Sequence, residues 1–287
     1  MTVTGPVVAE GLWVWSPARG LTPATEATAV TAVTAPLLVA DSWLVRDGRV
    51  RGLERHRERF LRACGEVDGP PMRRLLEFWR DMTDALPRTG EWFPRVELAP
   101  GAQELRLLLR HAPPLGTGVR VWAAGQSDPR TVPRRKGPDL AALARVRERA
   151  GEAGAEEAVL VAPSGCVLEA ATASVLWWED DTLCLPPPRL PVLPGVTVAL
   201  VQERARREGI PVAHRERTVA ELVGREVWLV NALHGIRPVT EWTGRPSRAA
   251  PTKRASTKRA LATRPPVKRA PEWRTWLDEA MEPLPEK

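Results

Sequence analysis

With 287 residues, 43% of them hydrophobic and 27% charged, the chain is long enough for one large domain or two smaller ones and has the composition of a soluble globular protein. It has no run of about eighteen apolar residues, which excludes an ordinary membrane-spanning helix, and no basic stretch leading into an apolar one at its start, so no secretory leader is read. Residues 245–287 hold eleven Lys/Arg against five Asp/Glu, so most of the net charge of +7 lies there, and the nearly neutral remainder is not a basic nucleic-acid-binding body.

Residues 1–36 read as an N-terminal extension, with a short strand at Trp13–Trp15 and an unpatterned Ala/Thr/Val/Pro stretch after Leu21. Residues 37–124 read as a small α+β domain. A strand over Leu37–Val45 turns at Asp47-Gly48, a hairpin signal, into a return strand at Arg49–Gly52. A helix over Leu53–Cys64 has Leu53, Phe60 and Cys64 along one side. A second, over Arg73–Leu86, has Leu75, Leu76, Trp79 and Met82 at helical spacing. Strands follow at Arg95–Leu98, Glu104–His111 and Gly118–Ala124.

Residues 125–135, polar and proline-containing, read as an interdomain linker. Residues 136–244 form a larger second domain. Its predicted elements are a helix over Pro138–Ala150 and strands at Ala158–Ala162, Val167–Ala170, Val175–Trp178 and Thr182–Leu185. A helix opens at Gly195-Val196-Thr197 and runs to Glu208, and a strand follows at Pro211–Arg215. Thr218 and Glu221 have the spacing of a capping box, and a last strand covers Glu226–Val230. Residues 245–287 are a basic low-complexity tail, with nine Lys/Arg and no acid in 245–271, a composition that predicts disorder. Beyond it Trp273, Trp276, Leu277, Ala280 and Met281 mark one face of a short helix, either docked or free.

Lys136 is the only lysine in the first 252 residues, against 37 arginines in the chain. Arginine cannot lose its proton in a protein, whereas lysine can serve as a nucleophilic amine and a general base once its pKa is depressed. A lysine retained amid such a bias is a candidate catalytic residue. Cys64, Cys166 and Cys184 are scattered and odd in number, as free thiols of a reducing, cytoplasmic setting would be. The four histidines are equally scattered, so no metal site is read.

Four segments in order resemble the class IV pyridoxal-phosphate enzymes, which include branched-chain and D-amino-acid aminotransferases and aminodeoxychorismate lyases. The hairpin and helix Asp47-Gly48 to Phe60 resemble the family's Leu-x-x-His-x-x-Arg-Leu. Lys136 stands just before a helix. Gly165 to Leu176 resembles a stretch carrying a glutamate, and Leu193-Pro194-Gly195-Val196-Thr197 resembles Leu-x-Gly-[Ile/Val]-Thr-Arg. The resemblance implies a two-domain α+β fold and a pyridoxal phosphate cofactor held as a Schiff base on Lys136. It further implies phosphate contacts from Arg59 and the Gly195, Val196 and Thr197 helix start, and Glu169 against the pyridine nitrogen. Asn231 and Ala232 would lie near the phosphate or the substrate carboxylate. Two departures stand out: Val198 replaces an arginine, and the chain has no tyrosine.

For the reaction, the resemblance implies an amino-acid-like substrate and a homodimer, with transamination as the leading reading. The alternative is an aminodeoxychorismate lyase forming 4-aminobenzoate and pyruvate, to which Ser42 would bring a substrate-side hydroxyl. A third reading is a non-catalytic binding protein on the same fold. Arg95 and Arg106 are candidates for a substrate carboxylate, with His234 a further substrate-side candidate. The tail could touch nucleic acid or another anion through its charge alone.

Overall fold

The computed structural model describes residues 9–26, 36–244 and 266–286. The predicted disorder therefore falls outside the described residues over 245–265, as does most of the stretch after Leu21. The chain divides into two units: residues 1–115, 135–140 and 278–287, and residues 116–134 and 141–277.

The first unit has an antiparallel five-stranded sheet in the order β2-β1-β8-β7-β3. Its strands are β1 (Gly11–Ser16), β2 (Gly20–Pro23), β3 (Val39–Ser42), β7 (Arg95–Leu98) and β8 (Leu105–Leu109). The strand predicted over Leu37–Val45 is broken. After Ser42 the chain leaves the large sheet, buries Trp43 and Leu44, and enters a small sheet as β4 (Val45–Arg46). There it pairs with β5 (Arg49–Val50) and β6 (Glu91–Trp92). Asp47 and Gly48 both have positive φ, 47° and 69°, as a tight two-residue hairpin turn requires.

Helix α1 (Leu53–Gly65) buries the expected face, whereas α2 (Met72–Ala85) buries Leu75, Trp79 and Met82 of its predicted face together with Phe78 and leaves Leu76 exposed. Leu53, Phe60 and Cys64 point inward together with His56, one turn before Phe60. Phe60 packs on Phe78 and Trp79, with ring centroids 6.3 and 6.1 Å apart, and Trp79 packs on Trp43 at 5.3 Å. Each fully buried aromatic ring stabilises the unit by roughly 1.5–3 kcal/mol.

The second unit is built on an eight-stranded mixed sheet, in the order β11-β10-β9-β16-β15-β12-β13-β14. The strands are β9 (Val119–Ser127), β10 (Glu157–Val161), β11 (Val167–Ala170), β12 (Ser174–Glu179), β13 (Thr182–Leu185), β14 (Val212–His214), β15 (Val227–Asn231) and β16 (Gly235–Thr243). The predicted linker starts inside β9, and Lys136 groups with the first unit. β16 lies beyond the last predicted strand, and Pro238, which lacks a ladder donor, lies within it. The register shifts just beyond, between Val239 and Glu241.

Successive residues of β12 and β15 feed opposite faces of the sheet. Val175, Trp177, Val227 and Leu229 pack on one side. Leu176, Trp178, Trp228 and Val230 pack on the other, against α4 (Val196–Arg207) and α6 (Ala270–Glu279). Helix α3 (Leu140–Glu152) buries Val146 and Ala150 against Ala158 and Leu160. The short helix α5 (Val219–Leu222) has its capping box, with the Glu221 carboxylate accepting from Thr218 N at 2.8 Å.

From 266 on, the chain is not the solvated tail that its composition suggested. Trp273 is 2% exposed, with its ring 5.5 Å from Trp228 and 5.8 Å from Trp178. The Arg204 guanidinium lies over Trp273 at 4.3 Å and over Trp276 at 5.0 Å. The buried Glu226 carboxylate accepts the backbone N–H groups of Arg269 and Ala270, which open α6. Of the two readings of this face, the docked one holds. In the first unit, β17 (Glu282–Pro283) pairs with β5.

Candidate active site

Within the first unit, β3 and α1 bring four polar side chains together. Asp41 is fully buried. Its carboxylate accepts from Arg59 Nε and Nη2 at 2.8 and 2.7 Å, from His56 Nδ1 at 2.8 Å and from Ser42 N at 2.7 Å. Burial works against the charge on Asp41, but Arg59, His56 and these hydrogen bonds hold its pKa below the usual carboxylate range. Burial also holds His56 below its ordinary pKa, with Asp41 opposing and the positive charges of Arg59 and Lys136 adding.

Lys136 reaches the same cluster. Its carbonyl accepts from Ala40 N at 2.8 Å, and its Nζ donates to Ser42 Oγ at 2.9 Å. The close approach depends on Gly137, which has φ 133°. A Cβ there would lie 2.8 Å from Ala40 N and 2.9 Å from Val39 Cα. Burial lowers the Lys136 pKa to about 8; Asp41 opposes, while Arg59, Arg95 and Arg110 add to the depression. A substantial fraction of the amine is therefore neutral at mildly alkaline pH.

The two candidates for a substrate carboxylate are already paired within the chain. Arg95 binds Glu97 at 2.6 Å, and Arg106 binds Glu104 at 2.6 Å. Arg110, which the sequence did not single out, bears on Lys136 as Arg95 does; it stacks on Phe93 at 4.7 Å and donates to the Phe93 carbonyl. Asp41 was likewise missed as a partner. Its place one residue before Ser42 on a buried strand was the available signal.

The remaining predicted residues lie in the second unit. Glu169, on β11, is 4% exposed and ion-pairs with Arg130. Leu193 N points at its other carboxylate oxygen from 3.4 Å. Gly195 caps α4 without any side-chain capping bond, and Val196 and Thr197 are buried at the helix start. A Cβ on Gly195 would meet Ser174 Oγ at 3.0 Å. Val198 lines a cavity of about 40 Å³ together with Glu169, Leu168 and Leu193.

Asn231 shapes the turn between β15 and β16. It donates to the Thr172 carbonyl at 3.2 Å and accepts from Leu233 N and His234 N. Ala232 lies half-buried in that turn. His234 Nδ1 accepts from Gly116 N at 3.2 Å.

Residues 38–242 match the model of the family described as amino-transferase class IV. The chain belongs to that family. It is accordingly a pyridoxal-phosphate-dependent enzyme. Solved class IV structures share the fold. A hypothetical aminotransferase from Mycobacterium tuberculosis superposes with a TM-score of 0.73 at 23% identity, over 94% of this chain and 98% of that one. A branched-chain aminotransferase from Thermoproteus uzoniensis gives 0.69 at 19% identity, over 84% and 90%. A candidate 4-amino-4-deoxychorismate lyase gives 0.63 at 24% identity, over 80% and 91%. No curated protein is significantly similar to the chain in sequence.

Each unit of this member of the class IV family carries groups that fit the cofactor. Lys136 offers an amine that is easily deprotonated, α4 opens without a side-chain cap where an anion is favoured, and Glu169 is a buried carboxylate. No helix among the described residues is long and apolar enough to cross a membrane.

Proposed function

We propose that this chain is an aminotransferase for an amino-acid-like substrate, with Lys136 as the amine that holds the cofactor and afterwards moves the substrate Cα proton. The observation that carries this reading is Lys136 itself: its Nζ lies on Ser42 Oγ, and burial brings its pKa to about 8. A base with a pKa near the working pH can both take a proton and return it. The bound cofactor supplies the electron sink for the chemistry.

The other roles follow from what each residue touches. Asp41 fixes the plane of Arg59, the arginine assigned to the phosphate, through two parallel hydrogen bonds. Glu169 is the carboxylate assigned to the ring nitrogen, and Gly195, Val196 and Thr197 offer the helix start as a second phosphate contact. Of the two arginines read as candidates for a substrate carboxylate, Arg95 bears on Lys136 although it also pairs with Glu97, and Arg110 bears on Lys136 in the same way; Arg106 is paired with Glu104. The mycobacterial neighbour has also been obtained with alpha-ketoglutarate and PMP bound. The family resemblance makes a cytoplasmic homodimer the expected setting.

One observation favours a second reading. The Ser42 hydroxyl in contact with Lys136 suits an aminodeoxychorismate lyase, in which a hydroxyl would act on the substrate side. One assay separates the two. The purified protein should be yellow, and L- or D-amino acids with a 2-oxo acid should bleach and restore that colour. Release of pyruvate and 4-aminobenzoate from aminodeoxychorismate would instead make the lyase the function. A protein that stays colourless in excess pyridoxal phosphate would overturn both.

A further inference from the structure

Arg130 comes from a polar, proline-containing stretch that reads as linker, yet its side chain is only 5% exposed. A buried guanidinium is costly unless carboxylates and carbonyls satisfy it. Here Asp128 accepts from Nε and Nη2 at 2.8 and 2.7 Å, and the Pro191 and Pro133 carbonyls accept at 2.9 and 3.3 Å. The guanidinium also ion-pairs with Glu169, whose side chain is 6% exposed. The cavity wall beside Glu169, formed by Leu168, Ser174, Leu193 and Val198, brings no other charged side chain. Position 198, where the family resemblance leads one to expect arginine, is valine.

Two carboxylates and one guanidinium leave the buried group with one net negative charge. That is the charge a protonated ring nitrogen would neutralise. We infer that Arg130 is the positioning residue for Glu169: it keeps the carboxylate ionised and fixed in direction, while Asp128 offsets its own charge. This rests on the reading of Glu169 given above. Without Asp128, Arg130 would cancel Glu169 and leave nothing for the ring. Without Arg130, Glu169 and Asp128 would be two buried carboxylates in one site, and one of them would take up a proton at a higher pH.

The test is a pH titration of the full chain, freed of cofactor and carrying 13C-labelled glutamate carboxyls, with the Glu169 resonance assigned by E169Q. The wild-type midpoint of Glu169 is the reference. In R130M its midpoint should rise by about 1–3 pH units. In R130K, which keeps the charge but loses the fork, it should lie between, and this variant carries the test if R130M fails to fold. In the cofactor-loaded protein, the visible band of R130M should gain an acid-side transition that the wild type lacks. An unchanged Glu169 midpoint in both variants, with only a lower melting temperature, would make Arg130 a staple of the 128–134 segment and overturn the inference. A chain that never takes up pyridoxal phosphate would refute the site reading instead, and the midpoint comparison would still stand or fall separately.

Discussion

Lys136 Nζ donates to Ser42 Oγ at 2.9 Å, and the neighbour of each residue serves the same cluster: Asp41 by holding Arg59, Gly137 by letting the backbone close on β3. Ser42→Ala removes the acceptor and frees Nζ to rotate. A net hydrogen bond contributes about 0.5–1.5 kcal/mol, so turnover should fall by up to roughly tenfold. Ser42→Thr, which keeps the hydroxyl, should restore most of it. Steady-state rates for the two variants check this, and equal rates would remove Ser42 from the mechanism.

The Lys136 pKa sets a pH dependence. Only the neutral amine attacks an aldehyde, so the rate of cofactor uptake should rise with pH through about 8 and then level off. For stability, the folded pKa lies below the ordinary lysine value of 10.5, so the unfolded chain binds the extra proton between the two. This residue's contribution therefore grows more favourable from about pH 8 towards 10.5, and is a constant penalty below that window. Stopped-flow absorbance across pH 6–10 measures the rate; a midpoint near the value of an ordinary lysine would contradict the burial argument.

Lys136→Arg keeps the charge but cannot bind the aldehyde. It should abolish the visible band and turnover together, while the far-UV circular dichroism stays as in the wild type. Residual turnover in this variant would point to another amine.

Asp41→Asn should be destabilising, because Arg59 and His56 lose a buried anion. Breaking a buried pair in this way costs about 3–5 kcal/mol. Asp41 is held below the usual carboxylate range, so its contribution is present above the unfolded pKa and lost as pH falls through the folded one. Thermal melts from pH 7 downward should show a flatter acid limb for the variant than for the wild type, and parallel limbs would refute the assignment.

Truncation after Gly244 would seem harmless from composition, yet the structure predicts otherwise. Loss of α6 uncovers Trp178 and Trp228, and Trp273→Ala alone should cost about 3–5 kcal/mol. Differential scanning calorimetry and light scattering check both variants. A truncated protein that melts like the full chain would show that the helix contributes nothing.

The parts of this molecule legible in the sequence are those written in local spacing. The α1 face, the Asp47-Gly48 turn, the α4 start at Gly195 and the Thr218–Glu221 capping box all depend on residues within a few positions of one another. What stayed hidden depends on distant partners. Arg130 looks like a linker arginine until Glu169 is beside it. The strand β16 takes its ladder from β15 and, across more than a hundred residues, from β9. The Trp273 face could not be assigned without Trp178, Trp228 and Arg204 to receive it. Among so many arginines, nothing in the sequence marks Arg110 as bearing on Lys136.

The placement of residues 270–284 also bears on how the protein is made. α6 covers the tryptophan face of one unit, and β17 lies along β5 in the other. During translation α6 and β17 can join their units only after these late residues have left the ribosome. Until then Trp178 and Trp228 stay uncovered, at the stage when nascent chains are most open to aggregation. Slow synthesis or premature termination would therefore impair both units at once.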